Sequence, residues 1–206
     1  MRNSFYISTG KRVFDVAFSL VGLVVCSPLL LLAAIGVRLS GPGPVLFLHR
    51  RLGREFLPFS VYKFRTMTAG ADKSGLPLTA GGDSRITPFG KFLRKTKLDE
   101  LPQLVNVLKG EMSIVGPRPE VEKYVELFKE DYRVILSVRP GLTDYAAIAY
   151  RDEEAVLAGF ADHEEAYRSE ILPAKIKLYM EYLGDLSFFT DMKIIFATAA
   201  RVLGVS

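Results

Sequence analysis

Asp99 and Glu100 are adjacent carboxylates ahead of Leu101, Leu104, Val105 and Leu108, whose spacing predicts a helix ending at Lys109-Gly110. Pro102 suits a first turn, which puts the expected N-cap at Asp99. There the positive end of the helix dipole favours an ionised carboxylate, and free backbone N–H groups attract phosphate. A carboxylate held this way is a nucleophile toward phosphorus. Its neighbour would help hold Mg²⁺, which takes one or two carboxylates together with substrate phosphates. Alone, the pair reads better as a helix cap. The surroundings change that reading: Arg94 lies five residues upstream, Arg118 is pinned between Pro117 and Pro119, and Lys63 and Arg65 end an expected strand. Arg139, in a Pro-Gly turn, joins this candidate phosphate-binding set. Cations on rigid elements converging on paired carboxylates make a polyphosphate site. His49 and His163 lack metal-ligand spacing, and no Gly-x-Gly-x-x-Gly or Walker pattern is present, which disfavours a Rossmann or P-loop enzyme.

The elements that must position these residues begin with an apolar segment. Positions 16–37 carry no charge, and about 20 apolar residues suffice to span a bilayer. Ser27-Pro28 sits at its centre, where proline removes a backbone donor and the Ser27 hydroxyl is placed to satisfy a freed carbonyl. Lys11 and Arg12 precede the segment, and Arg38, Arg50, Arg51 and Arg54 follow it, so the positive-inside rule draws both ends to the cytoplasm. We therefore expect a re-entrant helix–break–helix over 1–40, with a kinked spanning helix as the alternative. Asp15 is expected to pair with Lys11 or Arg12, or to cap the helix. Up to Met67 there are nine Lys/Arg against two acids, a surface suited to anionic lipid and phosphorylated ligands. The net charge of the whole chain is only +4, and no nucleic-acid-binding motif is present, so no nucleic-acid partner is expected. The single cysteine, Cys26, lies in the apolar segment and reads as a small hydrophobe.

The fold class expected is mostly α with a few short β-strands: the membrane hairpin plus a cytosolic globular catalytic domain over 41–206 with amphipathic interfacial helices. Strands are expected at 45–47 and 59–64, and a surface loop over 68–87. Thr87-Pro88 reads as the N-cap and first residue of a helix. Positions 120–136 read as one helix, and 155–183 as mostly helical with Pro173 as a candidate break. Over 187–203, Phe188, Phe189, Met192, Ile195, Phe196, Ala199 and Val202 form an apolar stripe, which either packs on the core or lies in a membrane interface.

The run KLDELPQLVNVLKGEMSIVGPRP over 97–119 resembles the signature of the small monotopic phosphoglycosyl transferases, the bacterial sugar transferase family. The likeness extends to Lys11-Arg12-x-Phe14-Asp15, Ser27-Pro28, Gly43-Pro44-Val45-Leu46-Phe47, Arg51-Leu52-Gly53, Tyr62-Lys63-Phe64-Arg65-Thr66-Met67 and Val138-Arg139-Pro140-Gly141. It implies a polyprenyl-phosphate sugar-1-phosphate transferase of the bacterial inner membrane, monotopic, with its catalytic domain on the cytoplasmic face. Asp99 would attack a UDP-sugar, releasing UMP and forming an aspartyl phosphosugar that polyprenol (undecaprenyl) phosphate then accepts. Mg²⁺ would sit at Asp99 and Glu100, and Lys63, Arg94 and Arg118 would bind phosphate oxygens. A phospholipid bilayer is the implied environment, and a homodimer is left open. The chain shows none of the added N-terminal membrane helices of longer relatives, as expected of a minimal catalytic unit. The sequence departs from the common pattern in two places, and the second, which loses a Trp and a Gln, bears on sugar or base preference. His49 stands where the family often has Gln, and Asp144-Tyr145-Ala146-Ala147-Ile148, then Tyr150-Arg151-Asp152-Glu153-Glu154, replaces a common Gly-Trp-Ala-Gln-Val. Two other readings use the same residues: a membrane-anchored scaffold for glycan assembly, and a nucleotide-sugar phosphohydrolase in which water replaces the lipid.

Overall fold

The computed structural model describes residues 6–71 and 83–204; most of the loop expected over 68–87 lies outside the described residues. After a π turn, Tyr6–Gly10, helix α1 runs unbroken over Lys11–Leu39, with Pro28 inside it. At 1.5 Å per residue it is roughly 44 Å long. The expected helix–break–helix is thus a single element. The donor missing at Pro28 is compensated locally: Ser27 Oγ donates to the Val24 carbonyl at 2.8 Å, the carbonyl that an ordinary residue 28 would have bonded. The break expected at proline does not interrupt the helix because its neighbour repairs the ladder.

Both ends of α1 are tied to the globular part. Near its start, Arg12 donates to the carbonyls of Val107 (2.6 Å) and Leu108 (2.9 Å), and Asp15 Oδ1 accepts from Ser113 Oγ and the Ile114 N–H, both at 3.0 Å. Asp15 therefore binds a strand rather than Lys11 or Arg12. Near the other end, Ala33 and Val37 are buried with Phe64 and Leu93. Gly36 leaves room for the Phe89 ring, which would stand 2.3 Å from an added Cβ. Between the anchors Leu23 and Leu30 pack inward while most of the other apolar side chains face outward, Val25 being 71% and Leu32 64% exposed.

Strands β1 (Leu46–Leu52) and β2 (Pro58–Phe64) pair antiparallel, with Leu46 opposite Phe64 and Leu52 opposite Pro58. Helix α2 (Pro88–Thr96) starts as expected: Thr87 Oγ1 accepts the Gly90 N–H at 2.9 Å with Pro88 in the first turn. Its C-cap, Lys97, is left-handed (φ 56°) and turns the chain into a 3-10 turn, Leu98–Glu100, followed by α3 (Gln103–Lys109). The N-cap of α3 is Pro102, not Asp99. Proline at that point delays the α-helix by one short turn, so the dipole argument for Asp99 does not apply.

Strand β3 (Ser113–Val115) pairs in parallel with β4 (Gly141–Thr143). They approach closely because two glycines meet: a Cβ on Gly141 would stand 2.1 Å from the Gly116 nitrogen. The region 120–136 forms two helices, α4 (Glu122–Leu127) and α5 (Lys129–Ile135), separated at Phe128 (φ −124°, ψ 41°). Short helices α6 (Tyr145–Ala149), α7 (Glu153–Leu157) and α8 (His163–Ala166) follow. A π turn, Tyr167–Ile171, joins α8 to α9 (Leu172–Asp185) and carries the chain through Pro173 without a break. The core gathers Tyr124, Tyr132, Tyr179 and Tyr182 with Met112, Ile135, Leu157 and Ile194.

The last helix, α10 (Phe188–Leu203), is capped by Ser187. Ile194 and Asp191 are its inward residues, while Phe189 and Phe196 point outward. The expected apolar stripe does not supply the helix's main core contact. Asp191 accepts from Tyr6 OH (2.5 Å), Lys11 Nζ (2.6 Å) and Tyr182 OH (2.9 Å), pinning α10 to the root of α1.

Candidate active site

The 3-10 turn after α2 places Asp99 and Glu100 against the end of β2 and the turn after β3. Glu100 is engaged on both oxygens. Lys63 Nζ donates to Oε1 at 2.9 Å, Arg118 Nη1 donates to Oε2 at 3.0 Å, and Arg118 Nη2 also bonds Oε1. Although burial works against its charge, Arg118 and Lys63 hold Glu100 well below the usual carboxylate range. Glu100 in turn raises Arg118 further above its ordinary value.

Asp99 has the opposite environment. It is 7% exposed, and its Oδ1 is buried with no hydrogen-bond partner. Burial, then the negative charge of Glu100, pushes its pKa up to about 6, while Lys63, Arg94 and Lys97 pull it down. An unpaired buried carboxylate oxygen is costly and is a feature that calls for an explanation. Two neighbouring carboxylates are thus driven apart: Glu100 is held by two cations with its pKa lowered, and Asp99 has a raised pKa and an unpartnered oxygen, the pattern that separates roles in acid–base and nucleophilic sites.

The positioning is local. Arg118 has its backbone N–H held at 2.7 Å by Asp144 Oδ2, and Asp144 Oδ1 caps α6 through the Ala147 N–H. The Gly141 N–H donates to the Pro117 carbonyl at 2.9 Å. The turn between two prolines is therefore clamped to the strand beside it, and Arg118 reaches Glu100 from a rigid base. Lys63 is delivered by β2, where Asn106 accepts the neighbouring Tyr62 N–H and donates to the Ser60 carbonyl. Arg94 points its Nε at Thr66 Oγ1 (2.9 Å) and its Nη1 at Glu154 Oε1 (2.5 Å).

Of the residues expected in the site, the structure therefore brings together Asp99, Glu100, Lys63, Arg94 and Arg118. Arg65 and Arg139 do not join them. Arg65 donates to the carbonyls of Val37, Gly41 and Pro42, satisfying the end of α1 and the glycine–proline turn after it. Arg139 donates to the Gly110 carbonyl at 2.8 Å, near Arg12 and Arg54. Each is a cation turned onto backbone carbonyls, which residue type and turn context could not reveal. Asp144, Thr66 and Glu154 are the residues that sequence reasoning did not place in the site. Asp144 left one trace, an acid in cap position before a short helical run.

Among the described residues no group of three or more His, Cys, Asp or Glu side chains is arranged to hold a metal. The donor set fits a cation bound through one carboxylate, because Asp99 Oδ1 lacks a partner whereas both oxygens of Glu100 are engaged.

A long apolar helix, with mean hydropathy 2.6 over its most apolar stretch and 11% of that stretch buried, is docked on a domain that gathers two unlike carboxylates and three cations. That combination defines a membrane-associated protein with a cluster of opposite charges beside its apolar helix. Residues 6–205 match the model of the bacterial sugar transferase family, and the chain belongs to that family. It is 36% identical over 198 residues to a UDP-N-acetylgalactosamine-undecaprenyl-phosphate N-acetylgalactosaminephosphotransferase of Aeromonas hydrophila, covering 94% of this chain and 43% of that protein. A UDP-glucose:undecaprenyl-phosphate glucose-1-phosphate transferase of Escherichia coli is 37% identical over 195 residues, 93% of this chain and 39% of its own. The exopolysaccharide production protein PSS of Rhizobium leguminosarum is 41% identical over 201 residues, 94% of both chains. The chain thus spans less than half the length of the first two relatives and nearly all of the third.

Proposed function

We propose that this chain transfers a sugar 1-phosphate from a UDP-sugar to polyprenol phosphate, with Asp99 as the nucleophile. The observation that carries this reading is the contrast at the carboxylate pair: Asp99 Oδ1 is buried and unpartnered, while Glu100 is locked between Lys63 and Arg118. In the first step Asp99 attacks the β-phosphorus of the donor. The bond to the oxygen bridging the two phosphates breaks, and UMP departs with that oxygen. In the second step a phosphate oxygen of the lipid attacks the same phosphorus and releases the Asp99 carboxylate. The raised basicity of Asp99 strengthens it as a nucleophile, while a pKa of about 6 still leaves it mostly ionised at neutral pH. Lys63, Arg94 and Arg118 bind phosphate oxygens from rigid elements, so little ordering is needed at the moment of reaction. Asp99 and the donor's phosphates would hold Mg²⁺, which would neutralise charge on the departing phosphate; Glu100 keeps Lys63 and Arg118 in place.

Both ends of α1 dock on the same domain, which supports a seat for 1–40 in one face of the membrane without crossing it, with 41–206 on the cytoplasmic face of the bacterial inner membrane. The outward apolar residues of α1 and the exposed Phe189 and Phe196 of α10 are the surface that would meet lipid. Reporters fused at both ends of the chain should read the same side of intact cells; opposite sides would mean a spanning helix. The activity test is UMP release from a panel of UDP-sugars with Mg²⁺ and polyprenol phosphate. Lipid-dependent release that is lost in Asp99→Asn is expected. Release equally fast without lipid would make the protein a hydrolase, and no release from any donor would favour a scaffold.

A further inference from the structure

We propose that Glu154 is a built-in competitor for the nucleotide phosphate, a carboxylate that occupies Arg94 between turnovers and helps to expel UMP. The inference rests on the transferase reading and adds to it a residue outside the signature run. Arg94 is oriented by Thr66, which takes its Nε. Of its two terminal nitrogens, Nη1 holds Glu154 Oε1 at 2.5 Å. A carboxylate on a guanidinium is the nearest protein equivalent of a phosphate in the same place, so a phosphate that takes both terminal nitrogens of Arg94 must displace it.

The construction around Glu154 suits displacement and return. Its carrier is fixed: Leu157 of α7 is buried in the core, Glu153 pairs with Lys175 at 2.8 Å, and the Arg151 carbonyl accepts from Lys97 Nζ at 3.0 Å. Arg151 is itself bonded to the carbonyls of Arg201 and Val202 at the end of α10. The Glu154 side chain, by contrast, is 44% exposed, whereas Glu100 is 16% exposed and held by two cations. When an anion arrives, Glu154 is therefore the carboxylate that yields, by rotating into water without moving its helix. Because it is tethered beside Arg94, its effective concentration there is high, and it recaptures the guanidinium as the bound phosphate leaves. Binding energy that held donor and product equally well would slow release without aiding chemistry. A half-exposed ion pair sets the size of the effect at a factor of about five or less.

The test is titration calorimetry of UMP, and separately of inorganic pyrophosphate, on the full chain in bilayer nanodiscs, comparing wild type with Glu154→Gln and Glu154→Ala. Glu164→Gln, in the exposed pair with Lys123, serves as the control. Both Glu154 variants should bind each anion about three- to fivefold more tightly, and the inhibition constant for UMP in the release assay should fall by the same factor. Unchanged binding would overturn the proposal, and weaker binding would show that Glu154 instead holds Arg94 ready for the ligand. If pyrophosphate binding tightens while no UDP-sugar yields UMP, the competitor role stands and the transferase reading fails. If UMP is released normally and neither anion's affinity changes, the transferase reading stands and the competitor role fails.

Discussion

Replacing Glu100 with Gln leaves Lys63 and Arg118 facing each other without the charge between them. At 2.9 Å and an effective dielectric near 20, one such contact is worth about 6 kcal/mol before desolvation. Removing one partner of a buried pair costs about 3–5 kcal/mol. Lys63 and Arg118 keep 23% and 31% of their side-chain surface, so screening lowers the expected loss to about 2–3 kcal/mol. Lys63→Met on top of Glu100→Gln removes the stranded cation and should recover about 1 kcal/mol or more, a clear non-additivity for residues in contact. Denaturant unfolding in a fixed detergent, followed by intrinsic fluorescence, gives the four corners of the cycle. The donor kcat/KM of Glu100→Gln should fall as well, because the two cations lose their common anchor. A single-mutant cost below about 0.5 kcal/mol with additive behaviour would refute the view that Glu100 organises the site.

Asp191→Asn strands Lys11 and weakens the bonds from Tyr6 and Tyr182, so unfolding in detergent should come about 3 kcal/mol earlier; a loss under 1 kcal/mol would mean the root of α1 is held otherwise. His49 is kept neutral, with a pKa lowered to about 4 by burial and then by Arg51, whose Nη2 lies 3.3 Å from its Nδ1. Below pH 6.5 the unfolded chain gains a proton that the folded chain does not. Stability should therefore decline from about pH 6.5 to 4, by about 1–2 kcal/mol once solvent screening of this partly exposed ring is allowed for, and His49→Gln should flatten that part of the pH–stability curve. Gly90→Ala would put a Cβ 2.0 Å from the Thr66 carbonyl oxygen, so α2 must shift. Destabilisation of about 2 kcal/mol or more, with reduced donor affinity through Arg94, should appear in parallel melting and binding assays.

Much of the scaffold was legible because it rests on local rules. Thr87-Pro88 announced the start of α2 and Lys109-Gly110 the end of α3, and the bond from Ser27 followed from residue type and position, although the break expected at Pro28 did not form. The signature run located the carboxylate pair and Arg118, since prolines on both sides of an arginine declare a fixed turn. Less legible were features that depend on what a side chain meets across the fold. Arg65 and Arg139 read as phosphate ligands but cap backbone carbonyls, and nothing in a linear sequence distinguishes those partners. The stripe on α10 left two seats open, core or membrane interface; its Ile195 packs on the core while Phe189 and Phe196 face outward, and the buried Asp191 with its three donors was not legible from apolar periodicity.

The sequence by itself determined the family, the apolar segment, and which carboxylates and cations are candidates for a site. Tertiary structure alone decided how the two acids differ. One is locked between cations and the other buried without a partner, although they are adjacent in the chain. It also decided that both ends of α1 dock on one domain and that Glu154 rests on Arg94. The physical reason is that charge state and pairing are set by distance, burial and solvent, which chain neighbours share in sequence but not in space.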